Sequence, residues 1–240
     1  MKLQYSLDID PVQLSILTVL NRSVEPYRYS ELNIENIDND LFNYHLQFLV
    51  KKDLVEKLED GYTISAKGKS LMADIDAVGK KYELFRYSIT ANVIKEENGK
   101  KYILGQKRLR HPYYGDISTI SGKIKKGELV ADAAKRKLKE ETGLDADFKV
   151  LGLLRKIRLN EEGNVVEDTV YNVCYAENPT GKLIEKNEYG ENKWYEVEEF
   201  KKLHSKNIDI GKYDKEVFER IFNENFEVFH FEQISTIKDY

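Results

Sequence analysis

Over residues 8 to about 77 the apolar positions recur at helical spacing in short runs, whereas beyond Tyr82 they alternate or cluster over strand lengths. Val12, Leu14, Ile16, Leu17, Val19 and Leu20 follow Asp10 and Pro11, an acidic cap and a first-turn proline, and predict a helix. A second, short helix is expected around 30–34 with Ser30 as its cap. The run 39–52 sets Leu41, Phe42, His45, Leu46, Phe48, Leu49 and Val50 largely on one side, which predicts a third. Residues 54–58 and 62–65 read as short strands joined at Glu59-Asp60-Gly61, where the Asp-Gly pair signals a hairpin. Residues 73–82 read as a helix ending at Gly79, a natural domain junction.

From there strands dominate. Residues 87–94 and 102–107 predict a long hairpin turning at 96–99, and a polar loop over 108–116 leads into a strand at 117–120. A helix is expected at 130–142, strands at 148–158, 165–176 and 194–197, and helices at 198–204 and 213–224. The expectation is an α+β protein of two domains, a mostly α domain over 1–80 and a sandwich of mixed sheet and helices over 81–240.

Composition narrows the function classes. With 41% hydrophobic and 33% charged residues the chain can bury a core. It has no apolar run long enough to span a bilayer and no signal-peptide pattern at its start, so a cytoplasmic location is expected. The single Cys174 excludes an internal disulfide and a thiolate metal cluster. The formal charge of −4 is carried by residues 1–80, with 9 Lys+Arg against 13 Asp+Glu. That balance weighs against binding nucleic acid, whose affinity comes largely from neutralising phosphates.

The order helix, helix, helix, hairpin, together with the phrase LQFLVKKDLVEKLEDGYTISAKGKSLM, resembles the last helix and wing of regulator-type winged helix-turn-helix domains. The resemblance covers residues 8–78. It implies that the third helix lies in the major groove of double-stranded DNA, presenting Asn43, Tyr44, Gln47 and Lys51. Asp38 and Asp40 at its start oppose phosphate.

The most specific pattern is GKIKKGELVADAAKRKLKEETGL at 122–144. Glycines at 122 and 127 suit a loop whose backbone approaches a phosphate or metal closely. On the helix that follows, Arg136 and Glu140 are four apart and can pair, while Glu141 adjoins Glu140. Crowded carboxylates attract a hard divalent cation such as Mg²⁺ or Mn²⁺. A Glu-rich amphipathic helix alone is ordinarily a solvated face; the spacing back to Gly122 and Glu128 sets this one apart. The segment resembles the Nudix box, G-x5-E-x7-R-E-U-x-E-E-x-G-U with U apolar. Eight of its nine specified positions are met, by Gly122, Glu128, Arg136, Leu138, Glu140, Glu141, Gly143 and Leu144.

The resemblance implies a Nudix-type α/β/α sandwich that hydrolyses a nucleoside diphosphate linked to another moiety. Glu140, Glu141 and Arg136 would be catalytic, and Glu140, Glu141, Gly122 and the outlying Glu188, six residues before Trp194, would serve the metal. Glu185 and Glu191 are the nearby alternatives. Lys107, Arg108, Arg110, Lys123, Lys125 and Lys126 supply a cationic rim for phosphates. Tyr113 and Tyr114 offer aromatic faces, Tyr114 being the candidate for the substrate side.

One position departs. Where the pattern has glutamate after Arg136 the chain has Lys137, three and four residues before Glu140 and Glu141, where its ammonium can neutralise them. Two readings follow: a hydrolase weakened by Lys137, or a regulator whose impaired Nudix domain senses a nucleotide or ADP-ribose-like molecule. Both constituent folds often pair, so a homodimer is compatible with either reading, and the sequence leaves the oligomeric state open.

Overall fold

A computed structural model describes residues 9–33, 37–73, 84–109, 113–204, 206 and 211–237. By contact density the chain divides into two compact units, Met1–Leu84 and Phe85–Tyr240. Most of the helix and the junction expected at 73–82 lie outside the described residues.

The first unit runs α1 (Pro11–Leu20), α2 (Tyr29–Leu32), α3 (Asn39–Lys51), β1 (Val55–Lys57), β2 (Tyr62–Ile64) and α4 (Ala66–Ala73). Asp10 caps α1 by accepting from the Val12 N–H at 2.8 Å, and Pro11 takes a position where no donor is needed. Ser30 lies inside α2 rather than capping it. The residue before the helix is Arg28, whose N–H donates to the Glu31 carboxylate at 2.7 Å. α4 went unread in the sequence because its start is polar and contains glycine. It begins where the Ser65 hydroxyl accepts from the Gly68 N–H at 2.9 Å and donates to the Asp53 carbonyl at 2.7 Å. Ile16, Leu17, Leu20, Phe42, Leu46, Leu49 and Ile64 form the core of this unit. Asn43, Tyr44, Gln47 and Lys51 all stand exposed on α3, away from that core.

The second unit continues with β3 (Arg86–Glu97), β4 (Lys100–Arg108), β5 (Ile117–Ser118), β6 (Ile120–Lys123), α5 (Val130–Thr142), β7 (Leu144–Asp145), β8 (Lys149–Leu159), β9 (Val165–Glu177), β10 (Thr180–Gly181), β11 (Gly190–Glu196), α6 (Val197–His204), α7 (Lys212–Phe222) and β12 (Phe229–Thr236). The main sheet has the order β11-β4-β3-β9-β8-β12, with β5 beside β4 and β6 beside β3. It is mixed: β3 with β9 and β8 with β12 are parallel pairs. β12 follows the last element read from the sequence and completes one edge. The expected strand at 117–120 is two, because the chain leaves β4 at Thr119 and joins β3.

Successive residues of a strand face opposite sides of a sheet, and the two cores of this unit follow that rule. Ile89, Ala91, Val93, Leu104 and Cys174 pack with Ala133, Ala134 and Leu138 of α5. Ile94, Ile103, Val173 and Tyr175 pack with Phe200, Val217 and Ile221 of α6 and α7. Burial pushes the Cys174 thiol up to about 12. On the α7 side, the first half of β3 carries Ser88, Thr90 and Asn92 instead of core residues, which leaves a polar floor. Among the described residues no helix is long and apolar enough to cross a membrane.

Candidate functional site

The polar floor lies under a cavity of about 560 Å³. Its walls come from β3, β8, β9, the segment through Gly122 and Lys123, the middle of α5, the last residue of α6 and the first two turns of α7.

At one end lies the helix α5 and the loop that enters it. Arg136 is clamped on Glu128, with Nε 2.6 Å from Oε1 and Nη2 2.8 Å from Oε2; Glu128 also accepts from the Lys125 N–H at 2.9 Å. The Arg136 hydrogen bonds hold the Glu128 carboxyl down to about 2. The same guanidinium reaches Glu140 at 3.2 Å and donates to the Lys123 carbonyl at 3.2 Å, which fixes the loop to the helix.

Lys137 points into the same cluster. Its ammonium lies 2.6 Å from Glu141 Oε1 and 3.3 Å from Glu140 Oε2, and 5.1 Å from the centre of the Tyr189 ring. Glu141 is 1% exposed, and its other oxygen accepts from the Gln106 amide at 3.2 Å. Burial raises the Glu140 carboxyl, but hydrogen bonds and charge from Arg136 and Lys137 outweigh it and hold the group below its ordinary value. The Lys137 stem is aligned by Gly122, where a Cβ would lie 2.5 Å from Lys137 Cε.

A divalent cation here needs free carboxylate oxygens and room for water. Glu128 is taken by Arg136, Glu141 by Lys137, and Glu140 by both. Among the described residues no three His, Cys, Asp or Glu side chains converge as ligands. Glu188 stands exposed on the loop before β11. Asn187 of that loop and Asn192 of β11 turn to α5 instead, donating to the Glu141 carbonyl at 2.6 and 2.8 Å. Glu191 pairs with Lys186 instead. The donor set does not fit a divalent cation.

Leu138 and Leu144 are buried in the α5 core, and Gly143 ends the helix with a φ of +75°. These box positions shape the site without touching its chemistry. Of the cationic rim, Arg108, Lys123 and Lys125 line the cavity; Lys107 and Lys126 are exposed outside it, and Arg110 lies outside the described residues. Tyr114 is 59% exposed and does not line the cavity, whereas its neighbour Tyr113 does, together with Tyr171 and Phe218.

The other end was not read from the sequence. Glu167 is ion-paired with Arg86 and Arg158, each at 3.0 Å, and accepts from the Tyr113 hydroxyl at 3.1 Å and from Thr169 at 2.9 Å. Burial pushes its carboxyl up, yet the two arginines hold it below its usual range. Lys156 pairs with the buried Asp214 at the start of α7. Burial, with the Glu167 charge beside it, pushes the Tyr171 hydroxyl up to about 12. The signal was the alternation Glu167, Thr169, Tyr171 along one face of β9, matching Ser88, Thr90, Asn92 on β3.

A family model described as NUDIX domain matches residues 86–217. Another, DUF7347, described as a domain of unknown function, matches residues 5–75. A comparison with curated proteins finds no match. Among solved structures, the NUDIX domain of Shewanella oneidensis NrtR complexed with ADP ribose is similar over 65% of this chain and 97% of its own, at 15% identity and a TM-score of 0.51. A MutT protein from Bacillus halodurans is similar over 62% of this chain and 91% of its own, at 19% identity and a TM-score of 0.49. At such identities the likeness is one of fold.

Proposed function

This chain belongs to the NUDIX domain family, and we propose that it is a ligand-responsive DNA-binding regulator. The Phe85–Tyr240 unit binds a nucleoside-diphosphate-type molecule with little or no hydrolysis, and the Met1–Leu84 unit acts as a winged helix-turn-helix on double-stranded DNA.

The observation that carries this reading is the pairing of Lys137 with Glu141 at 2.6 Å and with Glu140 at 3.3 Å. A hydrolase built on this box needs those carboxylates for a Mg²⁺ or Mn²⁺ that polarises phosphorus and supplies hydroxide. Here they hold an ammonium. The cavity remains large enough for a nucleotide-sized ligand, and Arg108, Lys123 and Lys125 supply charge for its phosphates. ADP-ribose is the first ligand to try, because the NrtR domain of similar fold was crystallised with it.

For the first unit, the support is the exposed face of α3 carrying Asn43, Tyr44, Gln47 and Lys51, followed by the short β1–β2 hairpin in the place of a wing. A homodimer would present two such helices to half-sites of one operator.

The test is a binding assay on DNA from upstream of the chain's own coding sequence, with and without ADP-ribose, alongside a nucleotide-release assay in Mg²⁺. The expected result is a salt-sensitive complex whose affinity shifts with ADP-ribose, and no appreciable release of AMP. Rapid Mg²⁺-dependent release of AMP, or no DNA complex in either condition, overturns the reading.

A further inference from the structure

The box cluster holds five formally charged side chains. Glu128, Glu140 and Glu141 face Arg136 and Lys137, which leaves a net charge of −1. Glutamate at 137, as the family pattern has it, would make that −3, and one divalent cation would restore it to −1. The exchange of glutamate for lysine therefore changes the local charge by the amount one such cation carries. It also places the new charge between the two carboxylates that would otherwise coordinate.

The position is built rather than incidental. The Lys137 stem runs against Gly122, where any side chain would collide with it, and the Tyr189 ring stands beside the ammonium. Lys137 is only 12% exposed, yet it lines the cavity beside Lys123. Its ammonium donates to Glu140 at 3.3 Å and is ion-paired with Glu141 at 2.6 Å. Its stem is already ordered, so a ligand meeting it loses little side-chain freedom.

We infer that the Lys137 ammonium is a resident substitute for the divalent cation, so that this domain recognises the diphosphate of its ligand as the metal-free anion. This rests on the nucleotide-binding reading above and specifies how that ligand is held. The lysine supplies charge and a hydrogen-bond donor. It does not supply the Lewis acidity or the activated water that hydrolysis requires, so binding is kept and turnover is lost. Excess Mg²⁺, by coating the free diphosphate, competes with the site instead of assisting it.

The test uses the full chain, native and Lys137→Glu, with Mn²⁺ alone and ADP as probes. The native chain is expected to bind Mn²⁺ at least about tenfold more weakly than Lys137→Glu, and to bind ADP as well or better in EDTA as in Mg²⁺. In Lys137→Glu, ADP binding should require the metal. Equal Mn²⁺ affinity in the two chains, or loss of native ADP binding in EDTA, overturns the inference. Should Lys137→Glu fail to fold by circular dichroism, Lys137→Gln replaces it, with Mn²⁺ binding expected to rise and metal-free ADP binding to fall; no change in either overturns the inference. If ADP binds neither chain under any condition, the nucleotide reading fails, and the Mn²⁺ comparison still decides the role of Lys137.

Discussion

Gly122 and Lys137 are matched: the lysine stem occupies the space a side chain at 122 would need, with Cε, Cδ and Cγ at 2.5, 2.7 and 2.8 Å from an ideal Cβ. Gly122→Ala must displace a stem whose far end is pinned by Glu141. The expected cost is about 1–3 kcal/mol of stability, measured by urea unfolding. Shortening the lysine in Gly122→Ala/Lys137→Ala should recover much of the steric part; a purely additive double variant would show that the two residues are not coupled.

The ion pair between Lys137 and Glu141 is inside the protein, so removing one partner leaves the other's charge buried. Lys137→Met is expected to lose about 3–5 kcal/mol, and Lys137→Met/Glu141→Gln to lose clearly less than the sum of the single changes. A double-mutant cycle by denaturant unfolding measures the difference.

Glu128 titrates near 2 in the folded chain, against 4.5 for the free group. A carboxyl held down in the folded state stabilises it above the unfolded value, and that contribution disappears as pH falls through the folded value. Stability should therefore decline between about pH 5 and pH 2. Glu128→Gln should flatten part of that decline while lowering stability at pH 7. An unchanged acid limb in the variant would place the linkage elsewhere.

On the proposed DNA face, Gln47 and Lys51 should separate into two kinds of effect. Lys51→Ala is expected to weaken binding evenly across sequences and to lower the salt slope by about 1, as a phosphate contact does. Gln47→Ala should relax discrimination at one base position by about 1–3 kcal/mol. Fluorescence anisotropy against operator and scrambled DNA at several salt concentrations distinguishes them.

Much of the second unit could be read from the sequence, because its long strands alternate and its box has fixed spacing. Arg136, Glu140 and Lys137 fall within one helical turn, so their proximity follows from helix geometry alone. The contacts of Glu141 with Gln106 and of its carbonyl with Asn187 and Asn192 were not legible. They join segments far apart in sequence, and nothing local marks an amide for that use. Glu188 illustrates the same limit: its distance from Trp194 suggested the site, but two asparagine side chains took the inward positions and left it in solvent. Tyr114 was the substrate-side candidate, yet nothing in the sequence separates it from Tyr113, which lines the cavity with a backbone φ of +67° and its ring over Arg158. The short α4 was missed because its start depends on a Ser65 hydroxyl that no periodicity reveals.

Cys174 lies in the sheet core with no exposed surface, and its thiol is held protonated at neutral pH. As the sequence has no other cysteine, the native chain is a silent background for thiol-directed probes. A cysteine introduced at Tyr44 or Tyr114 would take a maleimide dye or a spin label alone, reporting from the α3 face or the cavity loop without prior removal of a native thiol.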